Sequence, residues 1–175
     1  AVLHTLNPRL FPEQIVYIAN HAKDRFLFAD LTLVPLVEKL RPALKTVERV
    51  IVLGNEGYDA FIAGEPDTFD WPELDERTAS ALCYTSGTTG HPKGVLYDHR
   101  STVLHSYGSA LVDTMGFGRR DCILAVVPMF HANAWGLPYS VPMVGAKFVF
   151  PGPKMGDGAM LAALINEEKV TLACG

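Results

Sequence analysis

A run of six apolar residues at positions 122–127 indicates a strand that is buried on both faces. Shorter apolar runs occur at residues 25–29 and 50–53, and amphipathic helical patterns occur at residues 12–23 and 33–44. Strands without a polar face need a layer on each side, and alternation of strands with helices supplies those layers through parallel crossovers. The sequence therefore predicts an α/β fold, with a mostly parallel sheet flanked by helices.

The same alternation continues through the second half of the chain. A strand–loop–strand segment is predicted at residues 81–97, followed by a helix capped by Asp98 or Ser101. Another helix is predicted at residues 158–168 and a last strand at residues 170–174. The helix is expected to turn Met160, Leu161, Leu164 and Ile165 inward. The inward stripe expected for the helix after Asp98 consists of Val103, Leu104, Tyr107 and Leu111.

Charge and hydropathy exclude several classes of partner. The formal net charge is −4 and no basic run is present, which argues against a nucleic-acid or anionic-membrane surface. No apolar run approaches the ~20 residues that span a bilayer. Residues 54–80 are acidic and weakly periodic, so we expect an exposed connection there, with a short helix at residues 58–62.

Three widely spaced cysteines, Cys83, Cys122 and Cys174, form neither a disulfide framework nor a metal-ligand pattern. Each lies in an apolar, strand-like context, so we expect buried, reduced thiols. Reduced cysteines, together with an N-terminus that shows no signal peptide, favour a cytoplasmic protein.

Residues 84–95 carry the most distinctive chemistry in the chain. They read Tyr-Thr-Ser-Gly-Thr-Thr-Gly-His-Pro-Lys-Gly-Val. Closely spaced glycines let a backbone turn sharply and approach a ligand, hydroxyl groups donate hydrogen bonds, and a lysine suits a phosphate as a point charge. We therefore expect this segment to bind polyphosphate. The candidate residues are Thr85, Ser86, Gly87, Thr88, Thr89, Gly90 and Lys93.

This segment differs from the nucleotide-binding loop G-x-x-x-x-G-K-[ST]. That loop needs its lysine directly after its last glycine and then opens a helix. Here His91 and Pro92 separate Gly90 from Lys93, and Gly94 follows the lysine. Strand-like residues also flank the segment on both sides. The sequence therefore predicts a loop between two strands, not a helix N-terminus that cradles phosphates.

A second candidate site follows the apolar strand at residues 122–127. Residues 128–138 read Pro-Met-Phe-His-Ala-Asn-Ala-Trp-Gly-Leu-Pro, and ligand sites in open α/β sheets lie at the carboxyl ends of strands. An aromatic ring, a histidine, an amide and a tryptophan fit an apolar ligand with a polar head. From composition alone, core packing of Phe130 and Trp135 is the alternative interpretation.

The pattern Y-T-S-G-T-T-G-x-P-K-G-V at residues 84–95 resembles, at every position, the phosphate-binding motif of adenylate-forming enzymes. Residues 128–138 and residues 1–10 resemble the bacterial medium- and long-chain fatty-acyl-CoA synthetases within that superfamily. The likeness spans nearly the whole chain, although only the phosphate motif is highly specific. It implies a fold that is part of the large N-terminal domain of an adenylate-forming enzyme.

The resemblance also implies a role for individual residues. The candidates at residues 85–93 would clamp the β- and γ-phosphates of ATP. Thr85 would contact Mg²⁺, with Thr88 as the alternative. His131 would orient the substrate near the α-phosphate. Ala132 would lie against the acyl-adenylate, and Trp135 would gate the fatty-acyl tunnel.

The activity that the resemblance implies is that of an AMP-forming fatty acid–CoA ligase. ATP and a carboxylic acid would give an acyl-adenylate with Mg²⁺, and coenzyme A would then displace AMP. Two alternatives stay open. One is another member of the superfamily, such as an aryl-CoA ligase, a luciferase-like enzyme or a peptide-synthetase adenylation domain. The other is a nucleotide-binding fragment without turnover.

Residues 1–175 are expected to form only part of an AMP-binding domain. The family's Y-G-x-T-E motif, its later ribose-binding aspartate and its C-terminal domain with a catalytic lysine do not occur in this sequence. We therefore expect the chain by itself to be inactive. Its apolar edges would be covered by the rest of a longer chain or by a second copy, as in a homodimer.

Overall fold

Parallel strand pairs form the framework of this chain in the computed structural model, which describes residues 1–54, 56–85 and 91–175. The order of strands is β1-β4-β5 in one sheet, β2-β3 in a second and β7-β6-β8 in a third. The pairs β1–β4, β2–β3, β6–β7 and β6–β8 are parallel. The predicted α/β fold with mostly parallel strands is confirmed, although the described strands are divided among three sheets rather than one.

The strand bounds agree with the apolar runs to within a few residues. The strands are β1 (Leu3–His4), β2 (Phe26–Asp30), β3 (Arg49–Leu53), β4 (Ala79–Thr85), β5 (Lys93–Asp98), β6 (Cys122–Ala125), β7 (Lys147–Val149) and β8 (Leu172–Cys174). Strand β6 is buried along its whole length and lies between β7 and β8. It is the strand that residues 122–127 predicted.

Most helices also lie where the periodicity predicts them. They are α1 (Pro12–Ala22), α2 (Val34–Leu40), α3 (Glu56–Ile62), α4 (His99–Ala110), α5 (Ala132–Trp135), α6 (Leu137–Met143) and α7 (Gly158–Glu168). Short 3₁₀ turns occupy Leu31–Leu33, Arg41–Ala43 and Gly152–Lys154. Among the helices that the structure describes, none combines the length and the apolar character needed to cross a bilayer.

Local capping explains the ends of α4 and α7. The Asp98 carboxylate accepts a hydrogen bond from the Ser101 amide at 2.6 Å, and the Ser101 hydroxyl accepts one from the Asp98 amide at 3.1 Å. This reciprocal pair is a capping box, and it includes both predicted caps. The Asp157 carboxylate accepts from the amides of Ala159 and Met160 at the start of α7. Each contact satisfies amides that a helix N-terminus leaves without a partner in the helix.

The described residues divide into two compact units. The first consists of Ala1–Thr5, Asp75–Cys83 and Val95–Gly175, and the second of Leu6–Leu74 and Tyr84–Gly94. The core of the first unit gathers around β6. Its buried residues are Phe117, Ile123, Ala125, Val127, Ala134, Leu137, Val141 and Cys174. The core of the second unit lies where α1 and α2 cover β2 and β3. Its buried residues are Ile15, Ala19, Leu40, Leu44 and Val47.

The predicted inward stripe of α4 is wrong. Val103, Leu104, Tyr107 and Leu111 are between 50% and 62% exposed. The buried residues of α4 are Ser106 and Ser109, and the helix packs against α6. Small side chains allow that close packing, so the apolar stripe of this helix faces away from the core of its unit.

Two smaller expectations also fail. The aromatic residues of β2, Phe26 and Phe28, are exposed, and only Ala29 of that strand is buried. Ile165 of α7 is exposed as well, whereas Leu161 and Leu164 pack against a core cluster. All three cysteines are buried and reduced, as predicted.

Candidate functional site

The two strands that flank the predicted phosphate loop bring Thr85 and Lys93 together. Thr85 is the last residue of β4, Lys93 is the first residue of β5, and the two strands are neighbours in one sheet. The Thr85 hydroxyl lies 3.5 Å from the Lys93 carbonyl oxygen, and both residues are exposed. Both predicted ligand groups therefore lie at one edge of the sheet with access to solvent. Ser86, Gly87, Thr88, Thr89 and Gly90 lie outside the described residues.

The hydroxyl of Thr85 fits the role of a single protein ligand to Mg²⁺. Its distance to the Lys93 carbonyl is long for an O–H···O hydrogen bond, so that hydroxyl can turn to another partner. Mg²⁺ in nucleotide sites takes most of its ligands from phosphate oxygens and water. Among residues 1–54, 56–85 and 91–175, no three or more His, Cys, Asp and Glu side chains form a group that could hold a metal ion.

Helix α1 contacts Tyr84 and His91, which lie on either side of residues 86–90 in the sequence. The Nδ1 atom of His21 lies 2.6 Å from the Tyr84 hydroxyl oxygen, and Tyr17 stacks on His91 with ring centroids 4.5 Å apart. Burial, with Tyr17 and Asp24 nearby, raises the pKa of the Tyr84 phenol. The phenol therefore stays protonated at neutral pH, and its oxygen lies within hydrogen-bonding distance of the imidazole.

No sequence pattern assigns a role to His21, so sequence reasoning missed this contact. The signal that could have found it is helical spacing, because Tyr17 and His21 are four residues apart and lie on one face of α1. Nothing in the local sequence indicates that this face meets Tyr84 and His91, since those residues are more than 60 positions away.

The second candidate site follows β6. His131 is exposed and precedes α5, and its carbonyl oxygen accepts a hydrogen bond from the Ala134 amide at 2.9 Å. Ala132 is also exposed, and the Trp135 side chain is 38% exposed. The predicted substrate residues thus occupy one short turn, with their side chains accessible. Full core packing of Trp135, the alternative interpretation, is therefore wrong.

The backbone of α5 is left-handed. The φ angles of Ala132, Asn133, Ala134 and Trp135 are 45°, 50°, 51° and 56°, and Gly136 follows at 72°. A left-handed conformation costs a residue other than glycine roughly 1–2 kcal/mol, with asparagine the most tolerant of these. Such a run persists only where the surrounding structure holds it, and strained backbone of this kind clusters at functional sites.

Contacts from three other segments hold this turn. The Cys83 thiol of β4 donates to the Asn133 side-chain oxygen at 2.9 Å, and the Thr5 hydroxyl donates to the same oxygen at 3.3 Å. The Nε2 atom of His105, on α4, donates to the Trp135 carbonyl oxygen at 2.9 Å. All of these residues belong to the first unit. Sequence reasoning assigned no role to any of these contacts.

The structure thus brings the predicted site residues together in two groups. Thr85 and Lys93 form one group within the second unit, and His131, Ala132 and Trp135 form the other within the first. Thr85 ends β4 and Lys93 begins β5, whereas His131, Ala132 and Trp135 follow the end of β6.

Comparison with known proteins identifies relatives over the whole chain. The sequence model of a family described as AMP-binding enzyme matches residues 1–175. A 3-methylmercaptopropionyl-CoA ligase of Ruegeria pomeroyi is 58% identical over 99% of this chain and 34% of its own length. A medium-chain-fatty-acid–CoA ligase of Ectopseudomonas oleovorans is 50% identical over the same shares of both chains. The chain therefore spans about a third of the length of these curated relatives.

Solved structures share the fold. The inhibitor-bound N-terminal domain of FACL13 from Mycobacterium tuberculosis superposes with a TM-score of 0.86 at 25% identity, over 99% of this chain and 43% of that one. A long-chain-fatty-acid-CoA ligase from Archaeoglobus fulgidus superposes with a TM-score of 0.84 at 27% identity, over 97% of this chain and 34% of that one.

Proposed function

The chain belongs to the family of AMP-binding enzymes, and from this membership we propose that the full-length protein is an AMP-forming acid–CoA ligase. The observation that carries the proposal is that relatives 58% and 50% identical over 99% of the chain are named as CoA ligases. ATP, a carboxylic acid and coenzyme A are the proposed substrates, and Mg²⁺ is the proposed metal. Residues 1–175 are proposed to form part of the N-terminal AMP-binding domain.

The proposed reaction has two steps. A carboxylate oxygen attacks the α-phosphorus of ATP, and pyrophosphate leaves with the electron pair of the broken P–O bond. The thiolate of coenzyme A then attacks the acyl carbonyl carbon, and AMP leaves. No general base is needed for the first step, because the acid is ionised at neutral pH. The protein's task is to position the reactants and to balance charge.

The proposed roles follow from the two groups of site residues. Lys93 balances charge on the β- and γ-phosphates from the start of β5. Thr85 holds the metal through its hydroxyl at the end of β4. When bound, Mg²⁺ neutralises phosphate charge that would otherwise oppose the first step. Ser86, Gly87, Thr88, Thr89 and Gly90 complete the proposed phosphate loop.

The proposed acyl site is the turn after β6. His131, exposed at its start, would orient the carboxylate near the α-phosphate, and Ala132 would lie against the acyl-adenylate. The partly exposed indole of Trp135 would contact the acyl chain. We propose an apolar acid as substrate. Medium-chain fatty acids and 3-methylmercaptopropionate are the two specific candidates, because each is named by a relative at least half identical.

For the full-length protein we propose a cytoplasmic location and a homodimeric assembly. Three buried, reduced cysteines fit a reducing compartment such as the cytoplasm. A homodimer is the proposed assembly. Analytical ultracentrifugation of the full-length protein would test it, and a single monomeric species at micromolar concentration would contradict it.

Acid-dependent exchange of labelled pyrophosphate into ATP tests the proposed function in the full-length protein. We expect exchange with 3-methylmercaptopropionate or with fatty acids, and formation of the matching acyl-CoA when coenzyme A is added. A reaction without acid is the control. If no acid supports exchange, or if only amino acids or aryl acids support it, the proposed substrate class is contradicted.

Replacing Trp135 by alanine is expected to change acid preference more than ATP affinity. The indole is 38% exposed and lies four residues after His131 in the same turn, so its removal is expected to alter the space for the acyl chain. Ratios of kcat/KM across acids of increasing length, measured beside the KM for ATP, give the readout. Trp71 on the 54–80 connection is exposed as well, and Trp71→Ala is the matched control. An altered KM for ATP with unchanged acid ratios would contradict the assignment.

A further inference from the structure

One buried amide side chain anchors the left-handed turn at α5, in addition to the hydrogen bond from His105 to the Trp135 carbonyl. Asn133 is only 7% exposed, in a turn whose neighbours Ala132 and Trp135 are both exposed. Asparagine tolerates the left-handed region because its short polar side chain can bond locally. Here that side chain instead bonds across the fold, to Cys83 and Thr5. The residue that best tolerates the strain is therefore also the one that anchors the turn.

The two partners of Asn133 are fixed by strand pairing. Cys83 lies in β4, and Thr5 directly follows β1. Strands β1 and β4 pair in parallel, with Leu3 opposite Ala81 and His4 opposite Leu82. The Thr5 hydroxyl and the Cys83 thiol are 3.4 Å apart, and both donate to the same side-chain oxygen of Asn133. The amide is thus held by one residue of β4 and by one residue that directly follows its parallel partner β1.

The position of Cys83 in the chain gives this contact a further consequence. Two residues after Cys83, β4 ends at Thr85, the proposed metal ligand. Two residues before Asn133 stands His131, and two residues after it stands Trp135. The thiol–amide hydrogen bond therefore joins β4, within the first unit, to the turn that carries the proposed acyl-site residues.

From these contacts we infer that Asn133 is a positioning residue, which locks the left-handed turn onto Cys83 of β4 and so sets where His131, Ala132 and Trp135 are presented. Its kinetic consequence rests on the proposed function, whereas its structural consequence does not. Loss of the lock lets the turn leave the left-handed region, because nothing intrinsic to two alanines and a tryptophan favours that region. Substrate geometry then loosens even though no substrate-contacting side chain has changed.

Amide hydrogen exchange of the full-length protein tests the lock without any need for activity. The Ala134 amide bonds to the His131 carbonyl and the Gly136 amide to the Asn133 carbonyl, so both report whether the turn is closed. For Cys83→Ala we expect these two amides to exchange about fivefold faster, the ratio that corresponds to one lost hydrogen bond. Cys83→Ser keeps a donor and should restore slow exchange.

Matched variants separate the lock from simple core packing. Cys122 is buried to nearly the same extent as Cys83, at 6% against 4% exposed, but lies in β6. Cys122→Ala should leave exchange in the turn unchanged. Thr5→Val removes the second donor with almost no change in shape, and should accelerate exchange by about twofold, in keeping with its longer bond. Thr5→Val also tests the lock if Cys83→Ala does not fold.

Kinetics of the same variants test the consequence for the site. In Cys83→Ala we expect the KM for the acid to rise about fivefold, with a smaller change in the KM for ATP, and Cys83→Ser should recover most of that loss. The inference is overturned if the amides of the turn exchange hydrogen at the same rate in Cys83→Ala and Thr5→Val as in Cys122→Ala. A wild-type protein that activates no acid would overturn the proposed function instead. The amide hydrogen-exchange rates would still show whether Asn133 and Cys83 lock the turn.

Discussion

Replacing Lys93 by alanine is expected to lower kcat/KM for acid-dependent ATP–pyrophosphate exchange by about 100-fold. Loss of one well-placed donor to developing charge costs other enzymes on the order of 10²–10³ in rate. A 100-fold loss corresponds to about 2.7 kcal/mol of transition-state stabilisation. Lys93 is suited to this role because it is exposed at the start of β5, beside the end of β4.

The controls for this prediction distinguish charge at one position from charge in general. Lys39 is an exposed lysine on α2, so Lys39→Ala removes the same group from another surface. We expect no change in exchange kinetics for that variant. Lys93→Arg keeps the charge but replaces a compact ammonium by a planar fork, and an intermediate rate is expected. Equal kinetics for Lys93→Ala and Lys39→Ala would exclude a phosphate role for Lys93.

Replacing Gly136 by alanine is expected to lower the free energy of unfolding by about 2 kcal/mol, as the sum of backbone strain and one lost hydrogen bond. Gly136 has a φ of 72°, where a side chain is strained. An added Cβ would also lie 2.6 Å from Cδ2 and 2.9 Å from Nε2 of His105. His105 would have to move away, and its hydrogen bond to the Trp135 carbonyl would be lost.

A second glycine provides the matched control for this prediction. Gly108 lies inside α4, and a Cβ added there would meet nothing within 4 Å. Gly108→Ala should therefore stabilise the protein by roughly 0.5–1 kcal/mol, because alanine loses less conformational freedom in a helix than glycine does. Chemical denaturation of both variants gives the comparison. If Gly136→Ala proves as stable as the wild type, the left-handed turn is not the conformation of this segment.

The helix and strand pattern could be predicted where local physics decides it. Helix α7 has the predicted bounds, Gly158–Glu168, and α1 ends one residue before the predicted end. Both begin at recognisable signals, Asp157 as a cap and Pro12 in the first turn. Capping and periodicity involve residues within four positions of each other, so the sequence alone carries that information.

The orientation of α4 could not be predicted in the same way. Periodicity identified an apolar stripe and assumed that it faces the core. In the structure, the face of Ser106 and Ser109 is buried instead, because α4 packs closely against α6 and His105 reaches the Trp135 carbonyl. Which face of a helix is buried depends on the partner it meets, and that partner is about 30 residues further along the chain.

The sequence by itself determined the α/β architecture, and it predicted candidate site residues near the ends of two strands. The residues at 84–95 indicated a phosphate loop between strands, and the structure places Thr85 and Lys93 at the ends of neighbouring strands. Only the tertiary structure decided which contacts hold the end of β4 and the turn after β6. The contact of His21 with Tyr84 and the bond from Cys83 to Asn133 join residues 63 and 50 positions apart. Such contacts leave no local periodicity, because packing and strand register, rather than neighbouring residues, bring their atoms within hydrogen-bonding distance.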